Sequence, residues 1–171
     1  PPPTTEQRSK APALDVASFA EIEEEFMARV RRLAWGTVAT VDRNGRPRTR
    51  ILHPIWDGSA GWIATGRHSH KEKHLAKNPY VSLSYWDPQH QQIYADCKAE
   101  WVDDMAEKRR IWDLYKNTPP PLGYNPAIIW QAGVEDPDYG LLTLTPWRIE
   151  LYALGSVMTG EPPKIWRASR P

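Results

Sequence analysis

The chain of 171 residues has a single cysteine, Cys97, and only two phenylalanines. One thiol excludes an intrachain disulfide framework and fits a reducing, cytoplasmic setting. Net charge is almost absent: 22 Lys and Arg stand against 21 Asp and Glu, a formal +1. That balance gives no general pull toward nucleic acid or a membrane surface. No apolar run comes near the roughly 18 residues of a membrane-spanning helix. The N-terminus, PPPTTEQRSKAP, lacks an apolar signal core, and it begins without Met, which reads as a trimmed or incomplete end. There is no GxSxG, no P-loop and no GxGxxG, so serine-hydrolase and nucleotide-loop chemistry have no support.

Other features are abundant. There are nine Trp and seven Tyr. Such rings suit either an aromatic core or partly buried surfaces such as interfaces and cofactor walls. The 17 Pro cluster at Pro1–Pro3, Pro119–Pro121 and Pro162–Pro163, the composition of tails and loops. With 40% hydrophobic and 25% charged residues, the chain is an ordinary soluble domain, long enough for one core.

Hydrophobic spacing divides the chain into elements. Residues 1–13 read as a disordered N-terminal segment. Ser18 and Glu21 have capping-box spacing, and Phe19, Ile22, Phe26, Val30 and Leu33 follow at helical intervals, so a helix is expected over 18–33. Residues 35–41 read as a strand, and Asp42–Gly45 is a hairpin turn. A returning strand is expected over 46–56 and a third over 61–65, together an antiparallel meander. Ser69 and Glu72 suggest a second capping box before a helix at 70–77, stopped by Asn78-Pro79. Strands follow at 80–86 and 91–101, then a helix at 104–116, a Pro-rich loop at 117–126 and a short helical piece from Asn125-Pro126. Two final strands are expected at 139–145 and 147–154, and 156–171 as a C-terminal tail. The pattern implies an α+β fold: a six- to seven-stranded, mostly antiparallel barrel with peripheral helices, closed or partly closed to protect its edges.

The stretch from Thr65 to His74, TGRHSHKEKH, concentrates hydroxyls and cations at a strand-to-helix junction. Gly66 permits the turn, Thr65 and Ser69 offer hydroxyls, and Arg67, His68, His70, Lys71, Lys73 and His74 are cationic or can become so. A helix N-terminus adds unpaired N–H groups and positive dipole. These describe either an anion site, most naturally for phosphate, or a solvated basic loop. Arg48 and Arg50 alternate on the preceding strand and so share a face, as two further phosphate ligands or as two solvent-facing charges. His70 and His74 stand four apart on a helix, a spacing that metals use, but Lys71 and Lys73 oppose a cation there and no metal site is expected. Cys97 reads as a buried strand residue.

The runs Arg48–His53, Trp62–Thr65, Ser69–Lys71, Asn78–Leu83, Gln92 and Lys98–Glu100 together resemble the pyridoxamine 5′-phosphate oxidase superfamily, over residues 20–155. The resemblance implies an FMN-binding split barrel at residues 14–155. It also implies a cytoplasmic homodimer with the cofactor at the subunit interface. Residue by residue, Arg48 matches the Arg that opens the family's flavin-lining strand, followed by Thr49, Arg50 and Ile51, and His53 matches its closing Lys. Ala64 and Thr65 match a Tyr-Thr pair at the phosphate, and Ser69, His70 and Lys71 match its Ser-Arg-Lys. Gln92 matches a Gln near the flavin ring, and Tyr152 a Trp beside the cofactor. Trp86, Trp112, Trp130 and Trp147 are candidates for walling the substrate.

The departures are specific. Arg110 and Leu114 stand where the family uses a Tyr and an Arg to hold its substrate's phosphate. Its final Arg-x-His is missing, with only Arg167 nearby. Vitamin B6 oxidation is therefore not the expectation. His70 in place of Arg softens the phosphate grip. The resemblance implies an FMN-dependent oxidoreductase, with a reductase using the deazaflavin coenzyme F-420, or a non-catalytic flavin- or heme-binding protein, as alternatives. No catalytic residue is assigned.

Overall fold

A computed structural model describes residues 12–168. The expected disorder of residues 1–11 and the last three residues of the expected tail lie outside the described residues. The chain opens on β1 (Leu14–Val16) and a short 3-10 turn (Phe19–Glu21). The Glu21 carboxylate accepts the backbone N–H of Ser18 at 3.0 Å, which starts the helical segment as the spacing predicts. Helix α1 (Glu23–Leu33) then presents Phe26 and Val30, both fully buried, to the core.

β2 (Gly36–Val41), β3 (Pro47–Leu52), β4 (Pro54–Asp57) and β5 (Ala60–Gly66) follow. The expected single strand over 46–56 is two. β3 pairs with β2, whereas β4 pairs with β5, and the chain changes partner at His53-Pro54. Proline has no N–H for a ladder and pushes its predecessor out of regular geometry, so the change falls there. Helix α2 (His70–Lys77) precedes β6 (Tyr80–Trp86) and β7 (Gln91–Trp101), all three as expected. Helix α3 (Met105–Asn117) is capped by Asp104, whose carboxylate accepts the N–H groups of Ala106 and Glu107, each at 3.3 Å.

β8 runs unbroken from Tyr139 to Ala153, where two strands were expected. Its register against β7 shifts between Asp96 and Cys97, leaving Trp147 as the extra residue. A bulge is a place where proline is tolerated inside a sheet, so Pro146 does not end the strand. The expected tail instead forms α4 (Leu154–Thr159) and β9 (Lys164–Arg167), and β9 pairs with both β8 and β1. A four-residue strand shows no periodicity to read. Ile165 is buried and Trp166 packs on the Phe19 ring at 5.5 Å.

The nine strands make one mixed sheet, ordered β1-β9-β8-β7-β6-β2-β3, with β5 on β8 and β4 on β5. The count exceeds the six or seven expected, and the sheet is not closed. The main core lies between α1 and the sheet, where Phe26 meets Trp56 edge-on at 5.1 Å and Trp56 Nε1 donates to the Tyr85 hydroxyl at 2.9 Å. Among the described residues, no helix is long and apolar enough to cross a membrane.

The aromatic excess has both of its possible uses. Trp56, Trp62, Trp112 and Trp130 are buried, while Trp35, Trp86 and Trp147 are exposed. The register sets Ile51, Thr37, Ser84 and Tyr94 in one row across β3, β2, β6 and β7. Trp35 and Trp86 border that row, so the outer face of the sheet carries an apolar patch.

Candidate functional site

Two structural facts build the site. First, the ends of β3 and β5 wall a cleft of about 530 Å³. Ile51, Leu52 and His53 come from β3 and the joint after it, Ala64, Thr65 and Gly66 from β5, and Tyr124, Ile129 and Trp130 from the loop after α3. The volume lies within the roughly 300–1,000 Å³ of small-molecule sites. Tyr115, on α3, fixes the width: its hydroxyl donates to the His53 carbonyl at 2.7 Å and receives the Ala64 N–H at 3.4 Å. Tyr115 lies within the helix expected over 104–116, and no local signal marks it as a brace.

Second, α2 packs on β2 and turns part of its cationic run inward. Arg50, half-buried on β3, donates to the Thr40 hydroxyl at 2.9 Å. Lys71 is half-buried too, and burial lowers its pKa, with the Arg50 charge adding to the effect and Asp138 opposing it. Arg50 is lowered in the same way, by burial first and the Arg48 charge second. Among the described residues none of Arg48, Arg50 and Lys71 makes an ion pair. Arg50 and Lys71, half-buried without a carboxylate at ion-pair distance, would be offset by a bound anion, whereas exposed Arg48 is solvated.

The rest of the basic stretch is engaged elsewhere or exposed. Arg67 pairs with Glu72 at 2.7 Å and lies over the Trp101 ring at 4.5 Å. Glu72 is thereby drawn away from Ser69, and the expected second capping box is not formed. Ser69 Oγ is left buried without a hydrogen-bond partner, a state native proteins rarely tolerate without a function. His68, His70 and Lys73 are exposed, and His74 turns inward to Thr40. Among the described residues, no group of three or more His, Cys, Asp or Glu comes together.

The other residues singled out in the sequence fall as follows. Arg48 and Thr49 are exposed on β3. Gln92 and Tyr152 face each other across β7 and β8, and Gln92 lines a second cleft of about 440 Å³ with Trp86 and Tyr94. The two clefts share Trp35 and Ile51. Of the four Trp expected around a substrate, Trp130 lines the first cleft and Trp86 the second. Trp112 instead stacks edge-on with Tyr139 at 5.0 Å, and Trp147 is exposed on β8. Arg110 is held by Glu107 through hydrogen bonds of 2.7 and 2.8 Å and lies 5.0 Å over the Trp62 ring. Arg167 is paired with Asp15.

His53 is packed between the rings of Trp35 and Tyr124, at 4.7 and 5.0 Å, and its Nε2 meets the Leu122 carbonyl at 2.6 Å. Burial lowers its pKa below the ordinary value of 6.5, although Leu122 opposes the shift. An unfolded histidine takes up a proton near pH ~6.5, while the folded one resists until lower pH. Stability is therefore full above that pH and falls as pH drops through the folded value. Thermal melts should show the wild type losing more stability between pH 7 and 5 than His53→Phe; parallel losses would contradict the assignment.

The family model for pyridoxamine 5′-phosphate oxidase matches residues 22–153. The chain belongs to the pyridoxamine 5′-phosphate oxidase family. It is 29% identical to a pyridoxine/pyridoxamine 5′-phosphate oxidase of Bacteroides thetaiotaomicron over 170 residues, covering 85% of this chain and 79% of that one. Against the oxidase of Mannheimia succiniciproducens the match is 29% over 87 residues, half of this chain and 41% of that enzyme. Among solved structures, a protein of Clostridium acetobutylicum related to general stress protein 26 superposes with a TM-score of 0.70 at 19% identity, covering 88% and 96% of the two chains. An FMN-binding, oxidase-related protein of Nostoc punctiforme gives 0.59 at 19%, covering 86% and 88%. An F420 reductase gives 0.51 at 20%, covering 71% and 93%. At these identities the structures speak for the shared oxidase-family fold.

Proposed function

We propose that this member of the oxidase family is a flavin-dependent oxidoreductase that holds FMN by its phosphate. One observation carries the reading: Arg50 and Lys71 are both half-buried cations without an ion pair among the described residues, and Ser69, two residues before Lys71, has a buried and partnerless hydroxyl. Arg48, Arg50, Thr65, Ser69, His70 and Lys71 are the phosphate ligands in this reading. The strand backbone of Thr49 and Ile51 lies along the flavin ring, His53 and Ala64 flank it, Gln92 approaches from the second cleft, and Tyr152 stands across the ladder from Gln92. A bound flavin supplies hydride or electron transfer, so the protein's own task is to bind, orient and exclude water. The split-barrel form is part of the proposal, as is a cytoplasmic homodimer burying the outer sheet face with its exposed Trp35, Ile51 and Trp86. An apolar patch of that kind suits an interface.

Leu114 stands where the family's Arg holds the substrate phosphate and Arg110 is engaged by Glu107, which supports a substrate other than a B6 phosphate. A second reading keeps the fold and replaces FMN with coenzyme F-420. It is favoured by the exposed His70, which offers a weaker hold on a phosphate than the family's Arg. A binding screen against FMN, FAD, coenzyme F-420 and heme separates the readings. Lys71→Ala should weaken FMN binding about tenfold or more, as for loss of a charge-assisted hydrogen bond. Unchanged affinity would remove the phosphate site.

A further inference from the structure

Thr40 is 2% exposed on β2, directly across from Arg48 in the ladder. Its hydroxyl has two partners on two different elements. Arg50 Nη1 donates to it at 2.9 Å, with a longer 3.5 Å contact to the Val38 carbonyl, and His74 Nδ1 on α2 lies 2.8 Å away. Arginine can only donate, so the hydroxyl accepts from Arg50, and with one proton and a second lone pair it bonds the His74 ring in either tautomer. The chain Arg50–Thr40–His74 therefore links strand to helix.

That chain opposes a specific force. Lys71 precedes His74 by three residues on α2, which puts both on the helix face that meets β2. The like charges of Arg50 and Lys71 repel, and an untethered guanidinium would swing toward water. We propose that Thr40 and His74 are positioning residues that hold the Arg50 guanidinium beside Lys71, so that a flavin phosphate meets a preformed pair of cations. Preorganisation of this kind raises affinity by removing an ordering cost from the binding step. The proposal rests on the phosphate reading above and adds two residues that the family resemblance does not assign.

The test titrates the full chain with FMN and with riboflavin, which lacks the phosphate, following quenching of flavin fluorescence. Thr40→Val and His74→Leu should each weaken FMN about fivefold, the scale of one lost hydrogen bond, and leave riboflavin unchanged. The double variant should lose little more than either single one, because both cut the same chain. His74→Asn, whose side-chain amide can stand in for Nδ1 as either acceptor or donor, should recover most of the affinity. Equal losses for FMN and riboflavin would overturn the proposal by showing a general structural defect. Unchanged FMN affinity in both variants, with Lys71→Ala still impaired, would overturn it while leaving the phosphate site standing. Unchanged affinity in Lys71→Ala as well, or no binding of FMN at all, would remove the site and the proposal together.

Discussion

Arg29→Met is expected to destabilise the protein by about 3–5 kcal/mol, the loss of two charge-assisted hydrogen bonds whose carbonyl acceptors are left unpaired. For a chain of this size that corresponds to a fall in Tm of roughly 10–15 °C. Arg29 is 5% exposed, and its Nη1 donates to the carbonyls of Gln92 at 2.7 Å and Tyr152 at 2.9 Å. Those carbonyls belong to facing residues of β7 and β8, so one guanidinium ties α1 to two strands. Methionine keeps the apolar stem but donates nothing, leaving both carbonyls unpaired by the helix. The companion Glu25 retains Lys164 at 2.9 Å, so the loss falls on the carbonyls. Gln92 should shift with its backbone, and flavin affinity should fall along with stability. Circular dichroism melts check the first effect; a Tm within about 3 °C of wild type, under 2 kcal/mol, would contradict it.

The second large effect is expected at Gly140→Ala. A Cβ there would lie 2.6 Å from the Trp101 ring, 2.7 Å from the Thr65 carbonyl oxygen and 3.0 Å from the Arg67 Cα. Two of those atoms are backbone, and both belong to the start of the Thr65–Lys71 stretch. Gly140 is also the ladder partner of Thr65, so the methyl cannot be accommodated by a rotamer change alone. Overpacking of this kind costs about 1–3 kcal/mol or more. Tm should fall by roughly 5–10 °C, and FMN affinity should fall because the loop carrying Ser69 and Lys71 is displaced. Gly155→Ala is the matched control: nothing lies within 4 Å of its added Cβ, and it should change Tm little. Equal Tm for the two variants would show that β8 yields at this point.

Individual elements show how much of this was legible. β6, β7 and α2 agree with the sequence reading at both ends, because alternation and a Pro or Asp-Pro break are local signals. Helix α3 was legible in its extent for the same reason, and the structure shows Asp104 to be its cap. The errors were non-local. The partner change at His53-Pro54 depends on where β5 lies. The survival of β8 through Pro146 depends on a bulge against β7. β1 and β9 are too short to carry a pattern, and they exist because each completes the ladder of another.

The candidate site divides in the same way. Its residue types and their spacing, from Arg48 to Lys71, stood in the sequence, and so did the absence of any hydrolase or nucleotide-loop signature. The sequence by itself also determined that a basic strand-to-helix junction follows a two-Arg strand. Which cations turn inward was a tertiary decision. Arg67 is drawn off by Glu72 and Trp101, His68 and His70 stay in solvent, and Lys71 and His74 face β3 and β2 because α2 packs there. The same packing left Ser69 without its expected capping partner and set Thr40 between Arg50 and His74. The physical reason is range. Helix and strand periodicity are decided within a few residues, whereas the burial and pairing of a charge depend on groups dozens of residues away. The basic stretch therefore named the chemistry, and the neighbouring strands selected the residues that can perform it.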